Sequence, residues 1–353
     1  MMKKTELIKI YDPQQDAEGV RRAAELLRQG GIVAIPTETV YGLAADACNA
    51  EALRAVYAAK GRPSDNPIIV HIADREMLPE LVASAPPAAA LLADAFWPGP
   101  LTMVLPRSQR VPLTTTGGLE SVAVRMPSHP VARAVIRAAG VPLAAPSANR
   151  SGSPSPTTYR HCIDDLWGLV DAVVESDDCA VGVESTVVSL LGEVPQILRP
   201  GAVTPEDIRR VCGGVTVADA VLHLLPQDAA APSPGMKYKH YAPAAALTLV
   251  AGSQSDYAAY VNGLYGERCR AGEDGGFYAM CFDEDVSLLQ APTISYGAAY
   301  DYASQAQNLF DVLRQLDKLE AAEVCVHAPE PEEIGLAVYN RLLRAAAFRV
   351  VKL

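Results

Sequence analysis

Three cations stand at positions where they could bind an anionic ligand. Lys60 and Arg62 follow a helical segment and lie in the loop KGRPSDNP, whose prolines restrict its backbone. Arg125 lies within the apolar strand SVAVRM, on the face opposite Val122 and Val124. Because a charge buried without a partner is costly, Arg125 needs an anion or access to water. Together the three positions predict a cleft that binds carboxylate or phosphate groups.

Each of these cations also has a structural explanation. The dipole of a helix favours cations at its C-terminal end, where Lys60 and Arg62 stand. Arg125 could form a salt bridge with Glu38 or bind the carboxylate of a ligand, and we favour the ligand. His71 lies inside the apolar strand PIIVHI, where a single histidine is more often a hydrogen-bonded core residue than a ligand contact.

Polar segments follow two of the predicted strands. PTETVYGL places Thr37, Glu38 and Thr39 directly after the strand IVAI, and ligands of open α/β sheets bind at such strand ends. A hydroxyl-rich turn explains this segment equally well. The later segment AAPSANRSGSPSPTT offers hydroxyl, amide and backbone N–H groups that suit phosphate oxygens, although its composition alone favours a flexible surface loop.

A mixed sheet with packed helices is predicted to position these residues. Residues 16–29 and 49–61 have helical patterns, and the second begins with Asn49 as its N-cap and ends at Gly61. The segments IVAI, PIIVHI, LTMVL, SVAVRM and STVVSL have the length and composition of strands. Their order mixes hairpin-like neighbours with crossovers, so we expect an α/β fold with strands in both directions.

The chain of 353 residues is long enough for two domains. We predict a first, catalytic domain over residues 1–212, a linker over 213–243 and a second domain over 244–353. The second domain alternates strands with helices, which is typical of a small, Rossmann-like parallel sheet. It lacks the GxGxxG motif, so nothing in the sequence supports dinucleotide binding there.

Composition argues against several functional classes. The net charge of −11 disfavours a protein whose main task is binding nucleic acid. No apolar run approaches the ~20 residues of a membrane-spanning helix, and the N-terminus lacks the pattern of a signal peptide. The seven cysteines are scattered without a CxxC pair, which predicts reduced thiols, a cytoplasmic location and no dedicated metal site.

Nine segments, in order along the chain, resemble the YrdC-like family, in the long two-domain form of the L-threonylcarbamoyl-AMP synthases. They are PTETVYGL, KGRPSDNPIIVHI, FWPGPLT, VAVRMPSHP, AAPSANRSG, GVESTVV, ILRPG, SPGMKYKHYAP and GLAVYNRLLRAA. The resemblance covers nearly the whole chain. It implies a YrdC-like mixed twisted sheet with packed helices, followed by the linker and a small Rossmann-like α/β domain.

The resemblance also implies a reaction. In this family threonine and bicarbonate form a carbamate, whose carboxylate attacks the α-phosphate of ATP and releases pyrophosphate. A partner transferase then uses the product, threonylcarbamoyl-AMP, to make N6-threonylcarbamoyladenosine in tRNA. The implied partners are ATP, L-threonine, bicarbonate and that transferase, and direct binding of tRNA is left open. Mg²⁺ is expected on the phosphates.

Residue roles follow from the same resemblance. The catalytic signature corresponds to Lys60, Arg62, Ser147 and Asn149. Contacts to threonine are implied for Thr39, His71, Arg125, the Ala145 backbone and Ser185. Contacts to ATP are implied for Arg62, Asn66, Ser121, Ser147, Ser155, Arg199 and Tyr241.

The connector SPGMKYKHYAP, residues 233–243, resembles a lid over the cleft of the first domain. Linkers are usually small and polar, whereas this segment carries tyrosines, lysines and a histidine. We expect Tyr241 to meet the nucleotide, and Lys237, Lys239 or His240 to face its phosphates. A solvated linker is the alternative interpretation.

Two other functions are alternatives. A double-stranded RNA or tRNA binder would show strong, salt-sensitive affinity for RNA without ATP. An enzyme that transfers a carbamoyl group to another acceptor would be expected to carry zinc-finger segments, and this chain has no CxxC pair.

Overall fold

The computed structural model describes residues 3–223 and 241–353, which form two compact units. The first unit comprises residues 3–151 and 155–223, and the second comprises residues 152–154 and 241–353. The segment predicted as a linker, 213–243, thus begins within the first unit, which includes residues 213–223. Residues 224–240, which contain most of SPGMKYKHYAP, lie outside the described residues.

Within residues 3–223 the first unit is built on a sheet of eleven strands. The strands are β1 (Glu6–Lys9), β2 (Val33–Ile35), β3 (Gly42–Asp46), β4 (Val70–His71), β5 (Leu101–Pro106), β6 (Ser121–Arg125), β7 (Leu143–Ala144), β8 (Ala172–Glu175), β9 (Thr186–Ser189), β10 (Gln196–Arg199) and β11 (Thr216–Val217). The helices are α1 (Ala17–Arg28), α2 (Ala50–Lys60), α3 (Leu78–Leu81), α4 (Pro87–Phe96), α5 (Leu113–Thr116), α6 (Pro130–Ala139), α7 (Tyr159–Leu166) and α8 (Pro205–Cys212). The strand order β1-β8-β2-β3-β7-β4-β6-β5-β9-β10-β11 combines parallel and antiparallel pairs, so the predicted mixed sheet is confirmed.

Helix α2 carries Lys60 as its last residue, and both ends of the helix are fixed locally. The Asn49 side chain accepts hydrogen bonds from the N–H groups of Glu51 and Ala52 at 3.0 and 3.2 Å. Gly61 ends the helix with φ 63°, a left-handed conformation that glycine adopts without steric cost. The predicted N-cap and C-terminal glycine are confirmed, and together they set where the lysine projects.

Strand register brings three site residues side by side. Strands β4 and β6 are parallel, with His71 opposite Arg125. Strands β5 and β6 are antiparallel, with Thr102 on the other side of Arg125. Because paired residues of neighbouring strands point to the same face, these three side chains share one side of the sheet.

Within residues 241–353 the second unit has a sheet of five parallel strands. They are β12 (Ala246–Ala251), β13 (Phe277–Cys281), β14 (Thr293–Ser295), β15 (Glu323–His327) and β16 (Val350–Lys352), in the order β14-β13-β15-β12-β16. The helices are α9 (Gln254–Ala271), α10 (Tyr302–Lys318) and α11 (Gly335–Ala345). The predicted Rossmann-like alternation is therefore confirmed for this unit. Among all described residues, no helix has both the length and the hydropathy needed to cross a bilayer.

Two details of the second unit differ from the sequence-based expectation. The segment SDYAAYVNGLYG predicts a helix over residues 255–266, whereas α9 runs from Gln254 to Ala271. A glycine within a helix costs only about 1 kcal/mol, so Gly266 does not stop α9, which ends instead at Gly272 in the left-handed conformation with φ 71°. The sequence predicts three strands here, ALTLVAG, GFYAMCF and AEVCVHA, and misses β14 and β16, because three residues are too few to show a period.

The capping of α2 gives a test of how the helix that carries Lys60 is supported. Asn49→Ala should lower the free energy of unfolding of the first unit by about 1 kcal/mol, because two helix N–H groups lose their acceptor. Urea unfolding can be followed by fluorescence, since both tryptophans, Trp97 and Trp167, lie in this unit. Asn49→Asp keeps an acceptor and serves as the control. Equal losses in both variants would contradict the capping role.

Candidate active site

Arg125 is the buried centre of a polar cluster in the first unit, with only 3% of its surface exposed. Its Nη1 donates to Thr39 Oγ1 at 2.8 Å, and its Nε donates to the Gly99 carbonyl at 3.2 Å. Its Nη2 lies 2.7 Å from Glu38 Oε1 in an ion pair without hydrogen-bond alignment. The salt bridge to Glu38, one of the two partners that the sequence left open, is thus present. Contact with a ligand carboxylate stays a prediction.

Lys60 joins the end of α2 to the loop that follows β7. The side chain is 4% exposed, and its Nζ donates to the carbonyl oxygens of Ser147 and Asn149, the second at 2.6 Å. The Asn149 Oδ1 lies 3.4 Å from the same nitrogen. Three of the four residues in the predicted catalytic signature are therefore in direct contact.

Arg62, the fourth residue of the signature, is half-buried in the loop after α2. Its Nη2 donates to the Pro67 carbonyl at 3.0 Å, and its Nε lies 3.4 Å from the Asn66 carbonyl. These bonds hold the guanidinium against the proline-rich loop. Asn66 is itself buried, and its Oδ1 has no hydrogen-bond partner among the described residues.

Ser185 and Arg199 form a second buried pair beside this cluster. Arg199 donates from Nε to the Ser185 carbonyl and from Nη2 to Ser185 Oγ, both at 3.1 Å. The Ser185 hydroxyl also lies 2.8 Å from Thr102 Oγ1. Thr102 was missed by sequence reasoning, because the strand LTMVL gives no sign that its hydroxyl faces a site.

Two of the predicted contact groups already have partners within the first unit. The Ser155 hydroxyl donates to Glu184 Oε1 at 2.5 Å. The Ala145 N–H donates to the Ile69 carbonyl at 3.0 Å, so a contact from the Ala145 backbone would have to use its carbonyl oxygen. Glu184 was also missed: it lies in the segment GVESTVV, but only the fold shows that its carboxylate is buried.

Unsatisfied polar atoms gather around Arg125. Within the described part of the chain, both carboxylate oxygens of Glu38, Nη2 of Arg125 and Nδ1 of His129 are buried without a well-aligned hydrogen bond. Folded proteins satisfy nearly all buried polar atoms. The 2.7 Å ion pair compensates the charges of Glu38 and Arg125 but leaves these atoms short of aligned donors and acceptors, which indicates a place for a polar ligand.

Two protonation states are set by the same surroundings. Burial, and then the charge of Arg125, lowers the pKa of His71 from its ordinary 6.5 to about 3. Burial, the largest single influence, would raise the pKa of Glu38, but the charge of Arg125 and the hydrogen bonds to the carboxylate together outweigh it and lower that pKa below its usual value. At neutral pH the guanidinium therefore has an ionised carboxylate and an uncharged imidazole beside it.

Ser121 lies apart from the other predicted residues of this unit. It begins strand β6, which Arg125 ends. It lines a cavity of about 280 Å³ whose other walls include Val104 and Leu198. Its predicted contact with ATP stays a prediction.

Tyr241 belongs to the second unit. Its ring packs against that of Phe310 with centroids 5.3 Å apart, and the guanidinium of Arg341 lies 5.8 Å from its centroid. Its predicted contact with ATP stays a prediction. The predicted roles of Lys237, Lys239 and His240 fall outside the described residues.

Comparisons with known proteins agree with this arrangement. The Sua5_yciO_yrdC family model, described as "Telomere recombination", matches residues 25–201, and the model described as "Threonylcarbamoyl-AMP synthase, C-terminal domain" matches residues 203–347. The chain is 41% identical to the threonylcarbamoyl-AMP synthase of Bacillus subtilis over 350 residues, which cover 99% of this chain and 97% of the relative. The chain belongs to the threonylcarbamoyl-AMP synthase family.

Other members of the family give the same result. The threonylcarbamoyl-AMP synthase of Pyrococcus abyssi is 40% identical over 334 residues, which cover 94% of this chain and 95% of the relative. The crystal structure of P. abyssi Sua5 complexed with L-threonine matches with a TM-score of 0.90 and 38% identity, covering 99% of each chain. The predicted family, fold class and membership of a nucleotidyl-transferring enzyme class are confirmed.

The low pKa of His71 predicts how stability depends on pH. Between pH 6.5 and about 3 the unfolded chain binds a proton that the folded site excludes. This histidine therefore makes the free energy of unfolding fall as pH falls, by about 1.4 kcal/mol per pH unit. His71→Gln should remove that contribution between pH 6.5 and 4.5, measured by urea unfolding with tryptophan fluorescence.

A matched variant separates this effect from other titrations. His223 is exposed in the same unit, and His223→Gln should leave the pH dependence close to that of the parent chain. If the free energy of unfolding falls with pH at the same slope in His71→Gln and in the parent chain, His71 is not a buried, uncharged imidazole.

Proposed function

We propose that this chain is an L-threonylcarbamoyladenylate synthase, which converts L-threonine, bicarbonate and ATP to threonylcarbamoyl-AMP and pyrophosphate. One observation carries the proposal: Lys60 binds directly to Ser147 and Asn149, which lie 87 and 89 residues away in sequence. Three residues of one catalytic signature thus meet in the fold. Full-length relatives bear the name of the same activity.

The chemistry requires positioning and charge neutralisation more than a protein nucleophile. The amine of threonine joins bicarbonate to give a carbamate, with loss of water. A carbamate oxygen then bonds to the α-phosphorus of ATP, while the bond from that phosphorus to the oxygen of the β-phosphate breaks. Pyrophosphate leaves with that oxygen, and a mixed anhydride remains.

The cluster around Arg125 would bind threonine. Its guanidinium is held in place by Glu38 and Thr39 and would bind the substrate carboxylate through a charge-assisted contact. Uncharged His71, with the hydroxyls of Thr39 and Ser185, would hydrogen-bond the hydroxyl of the substrate side chain. The unsatisfied atoms around Arg125 support a polar occupant here.

The cations near the loop after β7 would face the phosphates of ATP. Lys60 and Arg62 would neutralise charge as pyrophosphate departs, with Ser147, Asn149, Asn66, Ser155 and Arg199 as further contacts. Ser121 stands four residues from Arg125, or about 13 Å along a strand. The cavity beside Ser121 would accept the adenine ring at that distance.

Mg²⁺ would enter as a complex with ATP. In residues 3–223 and 241–353, no three His, Cys, Asp or Glu side chains are grouped so that they could hold a metal. The two buried carboxylates of the site are engaged, Glu38 with Arg125 and Glu184 with Ser155. We therefore expect phosphate oxygens and water to be the main ligands of the ion.

The product is a reactive anhydride, so an acceptor enzyme must use it promptly. We propose a tRNA-modifying threonylcarbamoyl transferase as that partner, in the cytoplasm, a location that suits the free thiols of all seven cysteines. Incubation with ATP, bicarbonate and single amino acids, with pyrophosphate as the readout, tests the proposal. Release should require both threonine and bicarbonate. Release without threonine, or RNA binding without ATP and no release, would contradict it.

Arg62 offers the sharpest test of charge neutralisation. Arg62→Ala should remove about 2–4 kcal/mol of transition-state stabilisation, which is a fall of roughly 30-fold or more in kcat/KM for ATP. Arg209→Ala, an exposed arginine on α8, is the control and should stay near the parent rate. Normal activity of the folded Arg62→Ala enzyme would show that Arg62 has no part in the mechanism.

Amino-acid choice tests the site around Arg125. A site that hydrogen-bonds a hydroxyl rejects substrates that lack it, because its own polar groups are left unpaired. Valine, which has the shape of threonine without the hydroxyl, should have a kcat/KM at least about 100-fold lower, with serine intermediate. Equal rates for valine and threonine in pyrophosphate release would show that the hydroxyl is not recognised.

A further inference from the structure

The second unit has a cavity of about 340 Å³ at the carboxyl ends of its parallel strands. The volume falls in the usual range for small-molecule sites. Gly252 and Ser253 follow β12, Phe282 and Asp285 follow β13, and His327 ends β15; all of them line the cavity. None of these residues has a part in the proposed synthase reaction.

The strand order explains why a cavity forms here. From β12 the chain moves two positions toward β14, whereas from β15 it moves two positions toward β16. Neighbouring strands β15 and β12 thus send their connections in opposite directions. Such a switch point opens a crevice between the two loops, which is where open parallel sheets bind ligands.

Asp285 is the residue that indicates a ligand in this cavity. It is 1% exposed, and its Oδ2 accepts from the Phe282 N–H at 3.0 Å and lies 2.7 Å from Nδ1 of His327. Its Oδ1 is buried and has no hydrogen-bond partner among the described residues. Since Oδ2 is fully engaged, Oδ1 is the oxygen left for a bound molecule.

The surroundings hold this carboxylate rigidly. His327 is buried, and its ring stacks on that of Tyr257 with centroids 4.2 Å apart and planes 9° apart. Its Nε2 lies 3.2 Å from the Gly252 carbonyl. Phe282 packs on the same imidazole at 4.5 Å. A side chain locked in this way is preorganised for binding.

The charges of the lining select the ligand class. Besides Asp285 the lining contains Glu284 and Glu330, and it includes neither lysine nor arginine. Phosphates and other anions would be repelled, although they are common ligands of Rossmann-like folds. The rings of Phe282 and Tyr300, the second 85% exposed at the rim, suit the attraction of a cation to an aromatic face.

We propose that this cavity binds a small organic molecule through a protonated primary amine, which donates a hydrogen bond to Oδ1 of Asp285. The exposed carboxylates of Glu284 and Glu330 attract the ammonium, and Phe282 forms the apolar wall for its carbon chain. The amine satisfies Oδ1 of Asp285, a buried carboxylate oxygen that has no donor among the described residues. Charge-assisted bonds of this kind are about twice as strong as neutral ones.

Calorimetric titration of the full chain with n-butylamine and putrescine at 150 mM salt tests the proposal. Salt at about this level screens loose attraction to the acidic surface. We expect saturable binding of both amines, none of n-butanol, and weaker binding of tetramethylammonium, which has the charge but no N–H. Equal binding of tetramethylammonium and n-butylamine would overturn the hydrogen bond to Asp285.

Variants place the binding in the cavity. Asp285→Asn should weaken amine binding about tenfold or more, the scale of one charged hydrogen bond. Glu330→Gln, an exposed change that leaves the fold intact, should weaken it by at least about threefold. Glu267→Gln makes the same charge change on α9, some 20 Å along the helix from its first turn, and should have no effect. Equal weakening by Glu267→Gln and Glu330→Gln would overturn the site.

Further probes decide the ligand class. Binding of ATP or inorganic phosphate that depends on Asp285 would overturn the cationic class. If a capped lysine peptide binds while both free amines do not, the occupant is a lysine of a partner protein, and the small-molecule proposal fails.

Discussion

A buried guanidinium is the constraint on which the candidate active site depends. Arg125 is placed at the end of β6 by the sheet register, and a charge at that depth must be compensated. Glu38 and Thr39, both from the turn after β2, provide the compensation. Removing one member of such a pair typically costs about 3–5 kcal/mol. The turn after β2 and the end of β6 are thus tied together by electrostatics before any substrate arrives.

A second buried cation, Lys60, fixes the loop after β7 in the same unit. Lys60 takes its oxygen ligands from the backbone of Ser147 and Asn149, so the loop after β7 is shaped around an ammonium group. That loop is rich in Ser, Pro and Gly, and its composition resembles a flexible surface segment. The lysine gives it a fixed conformation, because a buried ammonium stays only where its N–H groups find acceptors.

In both units the candidate site lies at the ends of strands, but the charges that line the two sites are opposite in sign. In the first, the candidate site is built from arginine and lysine, which suit carboxylates and phosphates. In the second, the carboxyl ends of parallel strands surround a cavity with Asp285, Glu284 and Glu330. The overall charge of −11 conceals this division. It is a poor guide to the sites, because each cavity is governed by the few charges that line it.

The sequence by itself determined the family, the mixed and parallel sheets, and the ends of α2, because those depend on local signals: motif order, apolar periodicity, an N-cap asparagine and a terminal glycine. It also supplied the residues of the catalytic signature, through resemblance. Only the tertiary structure decided that Arg125 pairs with Glu38, and that Thr102 and Glu184 belong to the candidate site. It also showed that one oxygen of Asp285 has no partner among the described residues. The physical reason is that burial and pairing join residues distant in sequence, such as Lys60 and Asn149, and no local pattern records which distant groups will share one strand end.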